Sequence, residues 1–172
     1  MRNEPPALYI DTVTLSNFLG ADEGPLLVTQ YGSRLTITAE VYTELSAGAV
    51  TAGVNLEPLA RDLDAGRVSF APPSNAAMMR RQQMYRRSLG AGEASCMAHA
   101  AISGGVVATD DRAARRLCGE EGIPVTGTIG ILVVCVRKGS LSLSRAEDLH
   151  ATMVKNGFYS PVVRIGDCLR PG

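Results

Sequence analysis

GEASCMAHAAISGGVVATDDRAAR, running from Gly92 to Arg115, is the stretch that decides the fold. From Ala91 to Ser103 nearly every residue is small or apolar, a run too long for a strand and stopped by Gly104-Gly105, which predicts a helix buried on all sides. Val106 to Ala108 is then a compact apolar strand, and Asp111 to Gly119 predicts the next helix. Helix, short buried strand and helix in succession is the repeating unit of a parallel sheet, because parallel neighbours need a helical crossover.

The same alternation continues on both sides. Ala7 to Ile10 is an apolar run between Pro5-Pro6 and Asp11, followed by a helix with Leu15, Phe18 and Leu19 on its inner face. Gly24 to Tyr31 predicts a second helix and Arg34 to Thr38 a second strand. Thr38 is placed to cap a helix that carries Val41, Tyr42 and Leu45 and ends near Gly48. Leu56, Leu59 and Leu63 have helical spacing, Val68 to Phe70 predicts a strand, and Asn75 to Arg87 a helix. Beyond the deciding stretch come a strand at Pro124 to Thr126 and helices over Gly127 to Val136 and Arg145 to Asn156. Strand-then-helix order throughout predicts an α/β fold, a three-layer α/β/α sandwich around a central, mainly parallel sheet. No repeat or linker interrupts residues 1–172, so one domain is expected.

Composition narrows the class. With 45% hydrophobic and 20% charged residues the chain fits a soluble globular protein. Its longest apolar run, Ile129 to Val136, is too short for a membrane helix, and the start MRNEPPALYID lacks a secretory pattern, so a cytoplasmic protein without membrane association is expected. Four cysteines, Cys96, Cys118, Cys135 and Cys168, form no CxxC pair, and with His99 and His150 they make no zinc pattern. Cys96 and His99 sit three apart on one helix, but reduced buried thiols are the expected state. Neither histidine lies in a recognisable catalytic segment, and TGTIG lacks the Gly-Lys-Ser/Thr ending of a phosphate loop; Gly127 and Gly130 are read as helix-packing glycines. The net charge of +0 gives no global argument for nucleic acid, yet Ala71 to Gly90 holds Arg80, Arg81, Arg86 and Arg87 and no acid.

The acids carry the chemistry. Ligands of open parallel sheets bind outside the carboxyl ends of the strands. Asp11 ends the first strand and Asp110/Asp111 follow Val106 to Ala108, so both loops point to one edge. Glu44 and Glu93, in the first or second turn of their helices, reach that edge if those helices begin there. Each acid alone has a plain structural explanation, since carboxylates complement the positive end of a helix. Glu40 competes with Glu44, four residues away on the same face. Glu93 is the lone carboxylate on an otherwise apolar helix, and together the acids predict a divalent-metal site.

These segments resemble the PIN domain (the PilT N-terminus family) over nearly the whole chain. The resemblance rests on LYIDTVTLSNFL, VYTEL, GEASCMAHA and the strand leading into TDD. DDRAAR and VTGTIGILVVCVRKGSL add a closer similarity to a bacterial and archaeal subgroup. It implies that Glu44 rather than Glu40 serves the site, and it favours Asp111 with Asp110 close behind. It further implies a ribonuclease that uses magnesium or manganese held by the acidic cluster, often the toxin of a toxin–antitoxin pair. Homodimerisation is a family-based expectation, with Gly127 to Val136 and Asn75 to Arg87 as the candidate surfaces. Gly90 in LGAGE departs from the family, many of whose members carry a polar or acidic residue there.

On this reading Asp11, Glu93 and Asp111 are the expected metal ligands, and Glu44 completes the cage or orients the attacking water. Thr12 and Thr109 are placed to hydrogen-bond the carboxylates, at the substrate side of the site. Arg80, Arg81, Arg86 and Arg87 are candidate grips on the RNA backbone, or simply a solvated helix face. The expected function is a metal-dependent endoribonuclease acting on single-stranded or looped RNA. Two alternatives stand beside it: a non-catalytic PIN-like module that binds RNA or protein, and an α/β phosphatase or nucleotide-binding protein.

Overall fold

The computed structural model describes residues 5–52 and 54–170. In chain order its elements are β1 (Leu8–Ile10), α1 (Thr12–Leu19), α2 (Gly24–Tyr31), β2 (Leu35–Thr38), α3 (Ala39–Ala52) and α4 (Glu57–Asp64). There follow β3 (Ser69–Ala71), α5 (Ala76–Tyr85), α6 (Ala91–Ser103), β4 (Val106–Ala108) and α7 (Arg112–Glu120). The last are β5 (Val125–Thr126), α8 (Thr128–Arg137) and α9 (Leu143–Lys155). The five strands form one sheet in the order β3-β2-β1-β4-β5, and every pairing is parallel. With helices layered on the sheet, the fold is the three-layer α/β/α sandwich expected.

Strand order places the site. The chain winds outward from β1 through β2 to β3, then returns to lay β4 on the other side of β1. The switch therefore falls between β1 and β4, where loops diverge and leave a crevice at the carboxyl edge. Register keeps those two strands level, with Tyr9 opposite Val107 and Ile10 opposite Ala108. The Asp11 amide then donates to the Ala108 carbonyl at 3.0 Å. Ile10, Ile37, Val107 and Ala108 are wholly buried, as strands covered on both faces must be.

Helix α6 spans the predicted residues and packs on β1, β2 and β4. Gly92 and Ala94 to Ala100 are all buried, and Thr38 and Ser95 share a hydrogen bond of 2.6 Å across the helix–sheet seam. At the far end Gly105 takes φ +135, and a Cβ there would lie 2.8 Å from the Ala7 carbonyl oxygen. Only glycine allows the chain to turn that closely into β4.

Several boundaries differ from expectation. Helix α3 runs through Gly48 to Ala52, since one internal glycine costs a helix only about 1 kcal/mol. Strand β3 is Ser69–Ala71 rather than Val68 to Phe70; Val68 is buried just before it and Phe70 is half-exposed on this edge strand. Ser142 caps α9 by accepting from the Arg145 amide, so that helix starts two residues early. A 3₁₀ turn at Ile165–Leu169 was not anticipated; Glu147 holds it by accepting from the Ile165 and Gly166 amides at 3.1 and 2.9 Å.

The thiols are free, with Cys96, Cys118 and Cys135 buried, and Cys96 directs its Sγ to the Ile10 carbonyl rather than pairing with His99. Helix α8 buries Thr128, Ile131, Leu132, Val133 and Cys135 within this chain, so its apolar side is not a free surface for a second copy. On α5, Met79 and Met84 do remain exposed. No helix among the described residues is long and apolar enough to cross a membrane.

Candidate metal centre

At the end of β1, Asp11 is wholly buried and caps α1, its Oδ1 accepting from the Thr14 amide at 2.7 Å. Its Oδ2, like Glu40 Oε2, is buried with no hydrogen-bond partner among the described residues. Burial is the main reason its carboxyl is pushed up to about 6. Thr109 and Thr14 oppose that rise, and the nearby Glu93 charge adds to it. A solvent-free carboxylate oxygen without a donor is costly unless a cation or a proton meets it.

Glu44 ties three helices together at the same edge. The Thr12 hydroxyl at the start of α1 donates to its Oε2, and the Gly92 amide at the start of α6 donates to its Oε1 at 3.0 Å. A Cβ on residue 92 would stand 2.6 Å from Glu44 Oε2 and 2.8 Å from Thr12 Oγ1, so glycine is what lets this junction close. Glu40 takes a different direction, accepting from Gln82 Nε2 at 2.6 Å toward α5.

Glu93 follows in the first turn of α6, half-buried. Burial raises its pKa, with Glu44 and Asp111 raising it further. A Cβ at residue 90 would lie 2.5 Å from Glu93 Oε2, so the unusual Gly90 leaves the space the carboxylate occupies.

Across the switch point, Asp110 is held by partners the sequence did not announce. The Thr128 amide donates to its Oδ1 at 3.0 Å and the Thr128 hydroxyl to its Oδ2 at 2.5 Å. Asn17 Nδ2 reaches the same Oδ2 at 3.4 Å while donating to Thr128 Oγ1 at 3.0 Å. Gly127 turns out to serve this carboxylate rather than helix packing, because a Cβ there would fall 2.4 Å from Asp110 Oδ1. Gly130 lies over the Thr126 side chain at the start of the same helix. Asn17 and Thr128 were missed as site residues; the threonine in VTGT was the available signal.

Asp111 caps α7, accepting from the Ala114 amide at 2.8 Å with Oδ1, and its own amide donates to Thr109 Oγ1 at 3.1 Å. Arg115 pairs with no carboxylate among the described residues; its guanidinium donates to the Thr109 and Thr126 carbonyls at 2.9 and 2.8 Å. Thr12 thus donates to the Glu44 carboxylate, and Thr109 accepts from the Asp111 amide.

Glu93, Asp110 and Asp111 open onto one cleft of about 300 Å³, shared with Val13, Asn17 and Phe158. Asp11 is buried and does not line it, and Glu44 lines a separate hollow with Thr12, Ser16 and Leu45. The α5 arginines do not line the cleft. Arg81 pairs with Glu121 at 3.5 Å, and Glu121 ends the helix that Asp111 begins, about 15 Å along its axis. Arg80, Arg86 and Arg87 are exposed.

Two observations test whether these residues suit a divalent ion. No Lys or Arg forms an ion pair with Asp11, Glu44, Glu93, Asp110 or Asp111 among the described residues, although Arg115 Nη1 and Asp110 Oδ1 flank the same Gly127. Asp11 Oδ2 is also left without a donor. Both call for a hard cation with oxygen ligands. Against them, no three His, Cys, Asp or Glu side chains among the described residues form a group able to hold an ion alone. Magnesium tolerates this, since it keeps several waters and takes only one or two carboxylates directly. The donor set fits.

A family model described as PIN domain matches residues 8–170. No curated protein matches the chain.

Proposed function

The chain belongs to the PIN-domain family, typically a nuclease fold, and on that premise we propose that it is a magnesium- or manganese-dependent endoribonuclease. The observation that carries the reading is the buried, unpartnered Asp11 Oδ2 beside Glu93, in a cluster without a basic partner. When bound, the ion supplies an acidified water and charge neutralisation at the scissile phosphate. Asp11 and Glu93 would hold it, with Asp111 contributing from the start of α7. Glu44 is a positioning residue, fixing the start of α6 so that Glu93 faces the cleft. Asp110 shapes the cleft wall through Thr128.

The toxin role, an antitoxin partner and a homodimer belong to the same proposal, supported by the DDRAAR and VTGTIG segments. One observation favours the rival, an RNA-binding module that does not cut: no ready three-ligand group is formed among the described residues. Incubating a mixed RNA pool with manganese, magnesium or chelator, alongside Glu93→Gln, separates the two. The nuclease cuts only with metal and Glu93→Gln abolishes cutting; wild-type protein that binds RNA yet never cuts belongs to the rival.

A further inference from the structure

Beside the acidic cleft lies a second, longer groove of about 470 Å³, lined by Arg112, Arg115, Thr126, Ile129 and Pro161. Asp110 and Tyr159 line both hollows, so the two form one channel past the acids. Arg112 and Arg115 face this groove beside Asp110, and neither arginine pairs with an acid among the described residues. Arg115 is fixed by its two carbonyl contacts, so its guanidinium is set in place before any ligand arrives.

Tyr159 is the unusual element. It is 82% exposed, yet its neighbours on both sides are anchored. Gly157 turns the chain at φ +105, and Phe158 is buried with its amide donating to the Met153 carbonyl at 2.9 Å. Ser160 Oγ sits 2.7 Å from His150 Nε2 and donates to the Val162 carbonyl at 2.8 Å. An aromatic ring is thus held out over the junction of the two hollows by a segment clamped before and after it. An exposed ring on an anchored backbone, beside arginines without acid partners, matches what single-stranded nucleic acid needs: a face for a base and cations for the backbone.

We propose that this channel is the path of a single RNA strand, with Tyr159 stacking on an unpaired base and Arg112 and Arg115 holding the phosphates that flank the scissile bond. The inference rests on the nuclease reading and assigns the residues that would favour an unpaired strand, because a paired base has no free face to offer Tyr159.

Binding in chelator tests it without cleavage. A fluorescein-labelled, mixed-sequence single-stranded oligoribonucleotide and its duplex are titrated with the full chain, followed by anisotropy. Wild-type protein should prefer the single strand. Tyr159→Ala should weaken that binding roughly tenfold and Tyr159→Phe should restore it, as loss and retention of one stacked base require. Arg112→Ala should lower the slope of log affinity against log salt by about one. Unchanged affinity in Tyr159→Ala, equal loss in Tyr159→Phe, or equal affinity for duplex would overturn the strand path and leave the nuclease reading standing. Wild-type protein that binds no RNA at all would overturn both.

Discussion

Asp11 and Asp110 stand at the ends of adjacent parallel strands, and their surroundings are opposite. Asp110 is half-exposed and both of its oxygens accept hydrogen bonds from Thr128. Asp11 is buried, and one of its oxygens accepts nothing. A carboxylate supplied with donors is part of the frame; on the proposed reading, one denied them inside the protein is where a cation would bind. The largest predicted effect follows. Asp11→Asn keeps the α1 cap, since Asn caps as well as Asp, and should lower metal-dependent cleavage about a thousandfold. Asp110→Asn should lower it by about ten- to a hundredfold, as loss of a supporting contact does. Equal losses in single-turnover rates would dissolve the distinction.

The same contrast has a sign in stability. Asp11 has its folded pKa raised to about 6, above the ordinary 3.8, so the folded state binds more protons between those values. Without metal, this group's contribution falls as pH rises from about 4 through 6, by about 3 kcal/mol in all. Asp11→Asn should flatten that dependence and be more stable than wild type at pH 7 in chelator. Urea unfolding at both pH values, in chelator, measures it. A parallel pH dependence in the variant would show that Asp11 is not the strained group.

On the Asp110 side the expected changes are structural. Gly127→Ala drives a methyl against Asp110 Oδ1 and to 3.0 Å from the Thr109 carbonyl, and should cost about 2 kcal/mol. Thr128→Val removes the hydroxyl donor but keeps the amide, for about 1 kcal/mol. If Thr128→Val proves the costlier of the two, Gly127 is not there to admit the carboxylate.

Much of this arrangement was legible because it is written locally. Ala91 to Ser103 is bounded by Gly90 and Gly104, and the observed α6 has those bounds. Strand ends followed by acids announced the carboxyl edge, and the family resemblance chose Glu44 over Glu40, a choice consistent with their divergent contacts. What escaped depends on residues far apart in sequence. Asn17 and Thr128 meet Asp110 across 93 and 18 positions; only the threonine in VTGT hinted at a role, and its partner is fixed by the fold. Gly127 looked like a packing residue because its crowded neighbour arrives from another loop. Tyr159 lies in an irregular segment, where periodicity offers no reading, and the clamp around it exists only once α9 is folded.

The arginines give the comparison its smallest test. Arg112 and Arg115 line the channel; Arg81 is engaged with Glu121, about 15 Å from Asp111, and Arg80 precedes it on the same helix. At 0.1 M salt the screening length is about 10 Å, so charge at that distance hardly reaches a bound strand, whereas at 0.01 M it extends to about 30 Å. Arg80→Ala with Arg81→Ala should therefore leave RNA affinity unchanged at 0.1 M and weaken it about twofold at 0.01 M. Arg86 and Arg87 sit in the connection leading into α6, with Arg87 no more than about 11 Å of chain from Gly90. Their removal should be felt somewhat more, about threefold at low salt, by the same screening argument. A loss at 0.1 M as large as that of Arg112→Ala would move the RNA off the channel and onto α5.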